Sequence, residues 1–443
     1  MPMVQLSKRI QRLFDIATTF VSGVVTFALG VFILTATPDD YYRFIYLTAA
    51  ILIFIGFFHL WKGWRKKTER KDYFIRTLLE IISGIFIVTF PNLPLNMLSL
   101  IVAIYLLLSS LIYFINYFIL KQQHTRDKSL ALSIISLIAG CFFMLSFIYD
   151  WDASVYLIAG YFMIWGGSMM LNALTDLLFK NANNPKIRVC LPAIIDCFIP
   201  NMWLNRVNRY YREQPNEPLV DEWVNQEHDF EIFIHASHNG FNTFGHADFM
   251  FDGVLYSYGN YDGKSEQFFS MIGDGVLFKT KDRDAYIRFC LKRCHKTLFV
   301  FGLKLSEKQK ESVRERLQHL NETLIPWDPP FIHQPLKKNA PSIDLHVHQI
   351  YNEAKGILYK FKSGPFKTYY VFGSNCVRFV DDIIGKNVDI VKMVGIITPG
   401  TYLDYLEGEF KRASSNVVSK EIYSIHNYDI GEEDENDPYK DFE

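Results

Sequence analysis

The chain has 443 residues, and its 46 lysines and arginines nearly balance its 47 aspartates and glutamates. Without a basic excess, the composition argues against nucleic acid as a partner. The six cysteines have neither zinc-ribbon spacing nor the density of a disulfide scaffold. This length accommodates two or three domains, and the apolar residues are concentrated in residues 1–180.

Residues 1–180 contain six stretches that are apolar and long enough, at about 20 residues, to cross a bilayer. They are 13–36, 42–62, 74–91, 95–120, 129–149 and 153–179. The third stretch is short and contains Glu80, so its ends are the least defined. We therefore predict an all-α six-helix transmembrane domain over 1–180, with the lipid bilayer as its partner.

The charges between the spans alternate from one connection to the next. Positive clusters precede span one, lie between spans two and three and between spans four and five, and follow span six. They comprise Lys8, Arg9, Arg12, Lys62, Arg65, Lys66, Lys67, Arg70, Lys71, Lys121, Arg126, Lys128, Lys180, Lys186 and Arg188. The other three connections carry mainly acidic residues or no charge. Because basic loops remain in the cytoplasm, both termini and the C-terminal domain are predicted to be cytoplasmic.

The spans also repeat a pattern of small residues. A glycine opens an apolar run that ends in a turn, and a second small residue follows 26 positions later, at Gly30 and Gly56, Gly84 and Ser110, and Gly140 and Gly166. Equal offsets in three copies predict three helical hairpins of one design. Small residues at matching depths allow membrane helices to pack closely.

The run Gly84-Ile-Phe-Ile-Val-Thr-Phe-Pro91 and its two counterparts resemble the HdeD-like repeat of acid-resistance membrane proteins, over residues 13–179. The resemblance implies a compact six-helix architecture and little about activity. Transport is disfavoured, because the few charges inside the spans, His59, Glu80 and Asp176, lie near span ends.

Residues 181–227 are assigned to an interfacial linker. The segment is apolar but is interrupted by Pro192 and Pro200, and its Trp203 and Arg206 suit the headgroup level of a membrane. The alternative is that this segment forms the first core element of the next domain. At the other end, the acidic residues 426–443 are predicted to be a disordered tail.

The soluble half begins with three predicted strands, 229–235, 246–251 and 254–258. Asp252-Gly253, between the second and the third strand, is a strong hairpin signal. Residues 306–320 have the pattern of an amphipathic helix capped by Ser306.

Cys376 lies between an apolar run and a segment of helical periodicity that stops at Gly385. It is therefore expected at or near a helix N-terminus, where the helix dipole and free backbone N–H groups favour a thiolate and can face an oxyanion. A buried structural cysteine is the alternative interpretation, and it is the one we adopt for Cys290 and Cys294.

A histidine that opens a strand hairpin, followed by a cysteine that opens a helix, resembles the circularly permuted papain-like group, which includes NlpC/P60 and lecithin:retinol-acyltransferase-like domains. The matching motifs are Phe244-Gly-His-Ala-Asp-Phe249, Asp252-Gly-Val-Leu-Tyr-Ser-Tyr-Gly259, Gly373-Ser-Asn-Cys-Val-Arg-Phe-Val380 and Thr398-Pro-Gly-Thr-Tyr-Leu403. The resemblance spans about 228–410. It implies an α+β permuted papain-like domain, assigned here to 228–425.

The resemblance further implies that Cys376 is the nucleophile and that His246 is its general base and later the acid for the leaving group. The implied reaction is hydrolysis or acyl transfer at an amide, ester or thioester. With a cytoplasmic domain, the expected substrates are peptides, isopeptide links or lipid acyl groups. No cofactor is expected, and the oligomeric state is left open.

The third, orienting residue departs from the family pattern. Lecithin:retinol-acyltransferase relatives have a second histidine just beyond the hairpin turn, where this chain has Ser257 or Tyr258. Pairing through the hairpin places Asp248 opposite Ser257 on the face of His246. Ser257 is therefore predicted as the orienting residue, with Asp248 and Asp262 as alternatives.

Two other functions compete with a cysteine enzyme. The first is a non-enzymatic binding or stress-sensing module with the same fold. The second is a metal-dependent hydrolase that uses the histidine pairs His235 and His238, and His346 and His348. If 346–348 formed a strand, its two histidines would share one face.

Overall fold

The computed structural model describes residues 2–65, 70–119, 126–148, 153–178, 199–213, 227–237, 245–268, 270–334, 340–385, 398–410, 415–428 and 439. They belong to two compact units. One comprises Thr19–Leu111 and Ala131–Met170, and the other comprises Met1–Thr18, Ile112–Leu130 and Leu171–Glu443. Cys190, Cys197, His238 and most of the predicted acidic tail lie outside the described residues.

The N-terminal part of the chain is helical. Its helices are α1 (Pro2–Thr35), α2 (Pro38–Arg65), α3 (Arg70–Thr89), α4 (Leu93–Ile119), α5 (Arg126–Ile148) and α6 (Ala153–Leu178). Five of them, all except α3, contain segments long and apolar enough to cross a membrane. Helix α3, which contains the predicted third span, has only 20 residues and carries Arg76 and Glu80 in addition to charged residues in its first turn.

Helices α2 and α3 pack through small residues. A Cβ atom added to Gly84 would lie 3.0 Å from the carbonyl oxygen of Ala49, so the two backbones are in direct contact there. At another level of the same contact, Thr77 Oγ1 of α3 donates a hydrogen bond to the carbonyl oxygen of Gly56 in α2 at 3.1 Å. Lipid tails give helices no hydrophobic reason to associate, so this close packing and hydrogen bonding stabilise the pair.

The same arrangement recurs at two other places in this unit. Between α4 and α5, Ser110 and Ser133 each donate to the other's carbonyl oxygen, at 2.8 and 3.0 Å. Between α6 and α1, a Cβ on Gly166 would lie 2.6 Å from the carbonyl oxygen of Gly23. Each of these contacts therefore joins helices from two different predicted hairpins: α2 with α3, α4 with α5, and α6 with α1. The small residues that suggested a repeat in the sequence therefore line the contacts between hairpins.

The C-terminal part is built on antiparallel sheet. Its strands are β1 (Phe230–Ala236), β2 (His246–Phe251), β3 (Val254–Gly259), β4 (Ile272–Asp274), β5 (Val276–Thr280), β6 (Thr297–Leu303), β7 (Leu324–Pro326), β8 (Ile357–Phe361), β9 (Thr368–Tyr370) and β10 (Val417–Tyr423). Eight of them form one sheet in the order β10-β6-β1-β2-β3-β5-β8-β7, and β4 pairs with β9. Each of these pairings is antiparallel.

Helices cover both faces of the large sheet. They are α7 (Ile199–Glu213), α8 (Arg283–Lys292), α9 (Glu307–Glu322), α10 (Ser342–Glu353), α11 (Cys376–Ile384) and α12 (Pro399–Phe410). Phe230 and Ile232 of β1 belong to a core with residues of α7, α9, α11 and α12. Phe233 belongs to a second core with residues of α8 and α10. This alternation along β1 is the period of two expected of a strand that is buried on both faces.

The three strands predicted from the sequence correspond to β1, β2 and β3. The hairpin between β2 and β3 is tight, because Asp252 and Gly253 both have positive φ, at 46° and 74°, as a type I′ turn requires. Helix α9 begins with the predicted cap, in which Ser306 and Gln309 form a reciprocal capping box.

The strand considered for His346 and His348 is wrong, because both histidines lie in helix α10. The buried residues Val347 and Ile350 of that helix follow a helical rather than an alternating spacing. Two positions in a helix that are two residues apart face different directions. His346 accordingly lies beside Cys294, and His348 beside Tyr439.

Helix α7 lies within the segment assigned to an interfacial linker. Its Leu204 and Val207 are buried in the first core of the domain, and Trp203 lies under the ammonium group of Lys420, 4.8 Å from the ring centre. Arg206 on the same helix is exposed. These are the contacts of a core element, the alternative considered for this segment, and the rest of the linker lies almost entirely outside the described residues. The boundaries 181–227 stay a prediction.

The close contact between α6 and α1 predicts that alanine substitutions at two adjacent glycines of α6 have very different effects on stability. A Cβ on Gly166 would lie 2.4 Å from the backbone nitrogen of Phe27, whereas a Cβ on Gly167 would meet nothing within 4 Å. Gly166→Ala should therefore destabilise the protein by about 1–3 kcal/mol through overpacking. Gly167→Ala, which gains the same helix propensity, should leave stability unchanged or higher. Thermal unfolding of the two detergent-solubilised variants measures this, and equal melting temperatures would contradict the packing described here.

Candidate functional site

Cys376 is the first residue of α11, and local hydrogen bonds explain why the helix begins there. The preceding Asn375 is the N-cap, and its side-chain oxygen accepts a hydrogen bond from the backbone N–H of Arg378 at 2.9 Å. Its amide nitrogen donates to the carbonyl oxygen of Val371 at 2.8 Å, which ties the cap to the preceding turn. The Cys376 side chain is buried, and its sulfur interacts with His246 and Tyr369 and acts to raise the pKa of both.

His246 is the first residue of β2 and follows Gly245. This glycine has φ of 81°, and a Cβ there would lie 2.8 Å from the carbonyl oxygen of His235, so only glycine fits easily. In the antiparallel register His246 is opposite His235 of β1, and the two rings meet edge to face with their centres 5.3 Å apart.

Two other groups contact the Nε2 atom of His246. Asp248 is two residues further along β2, on the same face, and its Oδ1 lies 2.9 Å from Nε2. Ser257, the predicted orienting residue, has its Oγ at 3.2 Å from the same Nε2, and this hydroxyl also hydrogen-bonds with the Tyr261 hydroxyl at 2.7 Å. The structure thus brings Cys376, His246 and Ser257 together and adds Asp248 as the carboxylate of the group.

The second oxygen of Asp248 is held from other elements. His235 Nε2 lies 2.7 Å from Oδ2, and the Tyr286 hydroxyl of α8 donates to the same oxygen at 2.5 Å. The imidazole N–H groups of His235 and His246 are directed obliquely to the carboxylate, so electrostatic attraction contributes more than hydrogen-bond alignment. The Nδ1 atom of His235 is buried and has no partner among the described residues.

The electrostatics assign different charges to the two histidines. Burial acts to lower the pKa of His246, but the Asp248 carboxylate and the Cys376 sulfur outweigh it and raise that pKa to about 10. Burial lowers the pKa of His235 to about 4, in spite of the same carboxylate. Burial also opposes ionisation of Asp248, yet His246 and His235 hold its pKa well below the usual value. At neutral pH the site therefore contains an imidazolium at His246, a carboxylate at Asp248 and a neutral imidazole at His235.

The other candidate residues are engaged elsewhere. Asp262 caps a short 3-10 helix and pairs with Lys360 at 2.6 Å. His346 Nδ1 lies 3.8 Å from the sulfur of Cys294. Within the described part of the chain, no group of three or more His, Cys, Asp or Glu side chains is arranged to hold a metal ion.

The sequence argument did not anticipate the part played by His235 and Tyr286. His235 was considered only as a metal ligand, although its position at the end of β1 was predicted. The available signal was the antiparallel pairing of two strands that carry a histidine at their adjoining ends. Tyr286 gave no signal, because its contact with Asp248 spans 38 residues and depends on where α8 packs.

The opposite pKa shifts of the two histidines predict a stability maximum near pH 6.5. Because the pKa of His246 is raised, its contribution is complete below about 6.5 and is lost as pH rises through 10. Because the pKa of His235 is lowered, stability falls as pH drops from about 6.5 to 4, where only the unfolded chain binds that proton. Each slope can reach about 1.4 kcal/mol per pH unit.

His246→Gln should remove most of the alkaline loss of stability. The exposed His319→Gln variant serves as the control and should follow the wild type. Denaturant unfolding of the solubilised protein between pH 4 and 10.5 measures both effects. An unchanged alkaline slope in His246→Gln would contradict the charge assignment.

Comparison with known families bears on the membrane half. Residues 21–80 and 75–145 match the family described as "Short repeat of unknown function (DUF308)", to which the HdeD-like repeat belongs. No papain-like or NlpC/P60 domain is detected, and no match was found among curated proteins or among solved structures. The match of residues 21–145 to this repeat and the five apolar helices together indicate an integral membrane protein whose N-terminal part is similar to the DUF308 repeat.

Proposed function

We propose that the C-terminal domain is a membrane-anchored cysteine hydrolase or acyltransferase that acts on an amide, ester or thioester. The observation that carries this proposal is the contact between the Cys376 thiol and an imidazole that is itself paired with a buried carboxylate. Nucleophile, base and orienting group in hydrogen-bond reach are the general signature of nucleophilic catalysis. A permuted papain-like fold, with α11 packed against β2 and β3, is part of the same proposal.

The proposed reaction has two steps. His246 takes the proton of the Cys376 thiol, and the sulfur attacks the carbonyl carbon of the substrate. The bond between that carbon and the leaving group then breaks while His246 gives this proton to the leaving atom. In the second step His246 takes a proton from water or from an acceptor alcohol or amine, whose oxygen or nitrogen attacks the thioester and releases the sulfur. Cys376 begins α11, so backbone N–H groups of the first helical turn can face the developing oxyanion.

Asp248 is the better supported orienting residue. It offers a charge to His246 at 2.9 Å, whereas Ser257 offers a neutral hydroxyl at 3.2 Å. Attraction between the carboxylate and the imidazolium is strong here because both are buried, where the effective dielectric is low. Ser257, with its hydrogen bond to Tyr261, then supports the same nitrogen as a second partner.

The domain is proposed to face the cytoplasm, which favours peptides, isopeptide links or inner-leaflet acyl groups as substrates. This side follows from the basic residues between spans if α3 also crosses the bilayer. Support for six spans comes from the packing of α3, which touches the membrane helix α2 at two levels, through Thr77 and through Gly84.

Chemical labelling tests the proposed nucleophile without knowledge of the substrate. Iodoacetamide should alkylate Cys376 at least about tenfold faster than Cys290, because Cys376 contacts the proposed base His246, whereas burial holds the pKa of the Cys290 thiol well above its usual value. Cys290 is the matched control, since it too is a buried helical cysteine of this domain, and the groups that act on its sulfur are Cys294, Lys296, Asp248 and Tyr286. Peptide mass spectrometry of the full-length protein measures both rates.

The same measurement separates the supporting residues. His246→Gln should slow alkylation of Cys376 to the rate of Cys290, and Asp248→Asn should slow it more than Ser257→Ala does. Equal rates at Cys376 and Cys290 in the wild type would favour the binding or sensing module. A larger effect of Ser257→Ala would return the orienting role to Ser257.

Membrane topology is tested by two introduced cysteines. Asn92→Cys lies in the turn between α3 and α4, and Glu315→Cys lies on the exposed side of α9. With six spans and cytoplasmic termini, an impermeant maleimide added to intact cells should label position 92 and leave position 315 unlabelled, with wild type as background. If α3 does not cross, both results reverse, because residue 92 stays inside and the C-terminal domain moves outside.

A further inference from the structure

The centre of the C-terminal domain holds a second histidine that the proposed reaction does not use. His235 is almost completely buried, lies opposite His246 across the β1–β2 pairing, and faces the far oxygen of Asp248 at 2.7 Å. Burying an imidazole is unfavourable unless its polar atoms are satisfied, yet neither ring nitrogen of His235 has an aligned hydrogen-bond partner among the described residues, and Nε2 has only its electrostatic contact with Asp248. Because burial of His235 is unfavourable and its contact with Asp248 is the main compensation, we look for the role of His235 in that contact.

The two oxygens of Asp248 have different partners, and this division explains the contact. Oδ1 faces His246, whereas Oδ2 faces His235 and Tyr286. A carboxylate with only one partner can rotate about its terminal bond, which is a broad torsion. On the far oxygen, His235 attracts the carboxylate electrostatically and the Tyr286 hydroxyl donates a hydrogen bond. These two contacts restrict the rotation, and the near oxygen then stays directed at the imidazole that contacts Cys376.

The protonation of His235 matters for the same reason. The charged and titratable groups around it include Asp248 and His246 of β2, Tyr286 of α8, His346 of α10, and Lys296 in the turn before β6. Lys296 and His246 both oppose a positive charge on His235, and burial opposes it further. A neutral imidazole can direct the positive end of its N–H dipole to Asp248 without competing for the carboxylate as a second cation.

We propose that His235 is a positioning residue, which acts through Asp248 to keep the carboxylate aligned with His246 and to leave the positive charge of the site on His246. The proposal rests on the proposed function of Cys376 and His246. It extends the site from three residues to four, which interact one with the next in the order Cys376, His246, Asp248 and His235. Residues that orient a catalytic or metal-binding side chain through a further contact are common in proteins.

Two amide substitutions provide a matched test. The amide nitrogen of glutamine occupies about the position of the histidine Nε2, whereas that of asparagine is closer to Nδ1. Because Nε2 is the atom that faces Asp248, His235→Gln should keep the contact and His235→Asn should lose it. Both variants are uncharged and polar, so a general intolerance of the buried site to amides affects them alike.

The readout is the rate of alkylation of Cys376 in the full-length protein as a function of pH between 5 and 11. The part of the alkaline change in this rate that is absent in His246→Gln reports the His246 proton. In His235→Asn it should move down by about one pH unit, a tenfold change in the equilibrium constant, while in His235→Gln it should stay within about 0.3 of the wild type. His346→Asn, another buried histidine, lacks a contact with Asp248 and should leave the profile unchanged.

The possible outcomes separate the two proposals. If His235→Asn folds and keeps the wild-type profile, or if both amides shift it equally, His235 is not a positioning residue. If His235→Asn fails to fold, a wild-type profile in His235→Gln supports the role and a shifted profile rejects it. A wild-type Cys376 that reacts no faster than Cys290 would contradict the proposed function itself, and with it the role of His235.

Discussion

The carboxylate of Asp248 is a full negative charge in the interior of a sheet domain, with 1% of the residue exposed. Such a charge is tolerated only when it is paired, because desolvation costs several kcal/mol per ion. Its partners come from three separate elements: His246 from its own strand, His235 from β1 and Tyr286 from α8. The requirement to satisfy this one group therefore ties together the register of two strands and the position of a helix on the second face of the sheet.

The same constraint sets the charge state of the site. Two imidazoles share one carboxylate, and the environment separates them, with the pKa of His246 raised and that of His235 lowered. The difference arises because His246 also meets the Cys376 sulfur, whereas His235 meets Lys296 and the other histidine. Groups whose pKa values are driven apart by their surroundings are typical of acid–base sites. Here they place an imidazolium beside the only described thiol at a helix start in this domain.

The membrane half follows a different physical rule. In a bilayer, apolar side chains gain nothing by leaving lipid, so the contacts between hairpins rest on backbone approach and on hydroxyl groups that bond to neighbouring carbonyls. Gly84 against Ala49, and Ser110 with Ser133, are two forms of this single solution. One contact also contains a polar pair, His59 of α2 with Glu80 of α3 at 2.8 Å. Helix α3 can therefore carry a charged residue and still pack against α2 through Thr77 and Gly84.

The sequence by itself determined the elements and their local chemistry. The small-residue repeat, the β2–β3 hairpin at Asp252-Gly253 and the helix that starts at Cys376 were all readable, because periods of two and 3.6 and the residues of turns and caps are local signals. It misjudged the segment around His346 and His348, where helical spacing was overlooked. Only the tertiary structure decided that His235 and Tyr286 surround Asp248, because a contact between distant elements depends on strand register and on the face where a helix packs. Neither the register nor the packing face is encoded in a local pattern, because both depend on contacts between elements that are far apart in the chain.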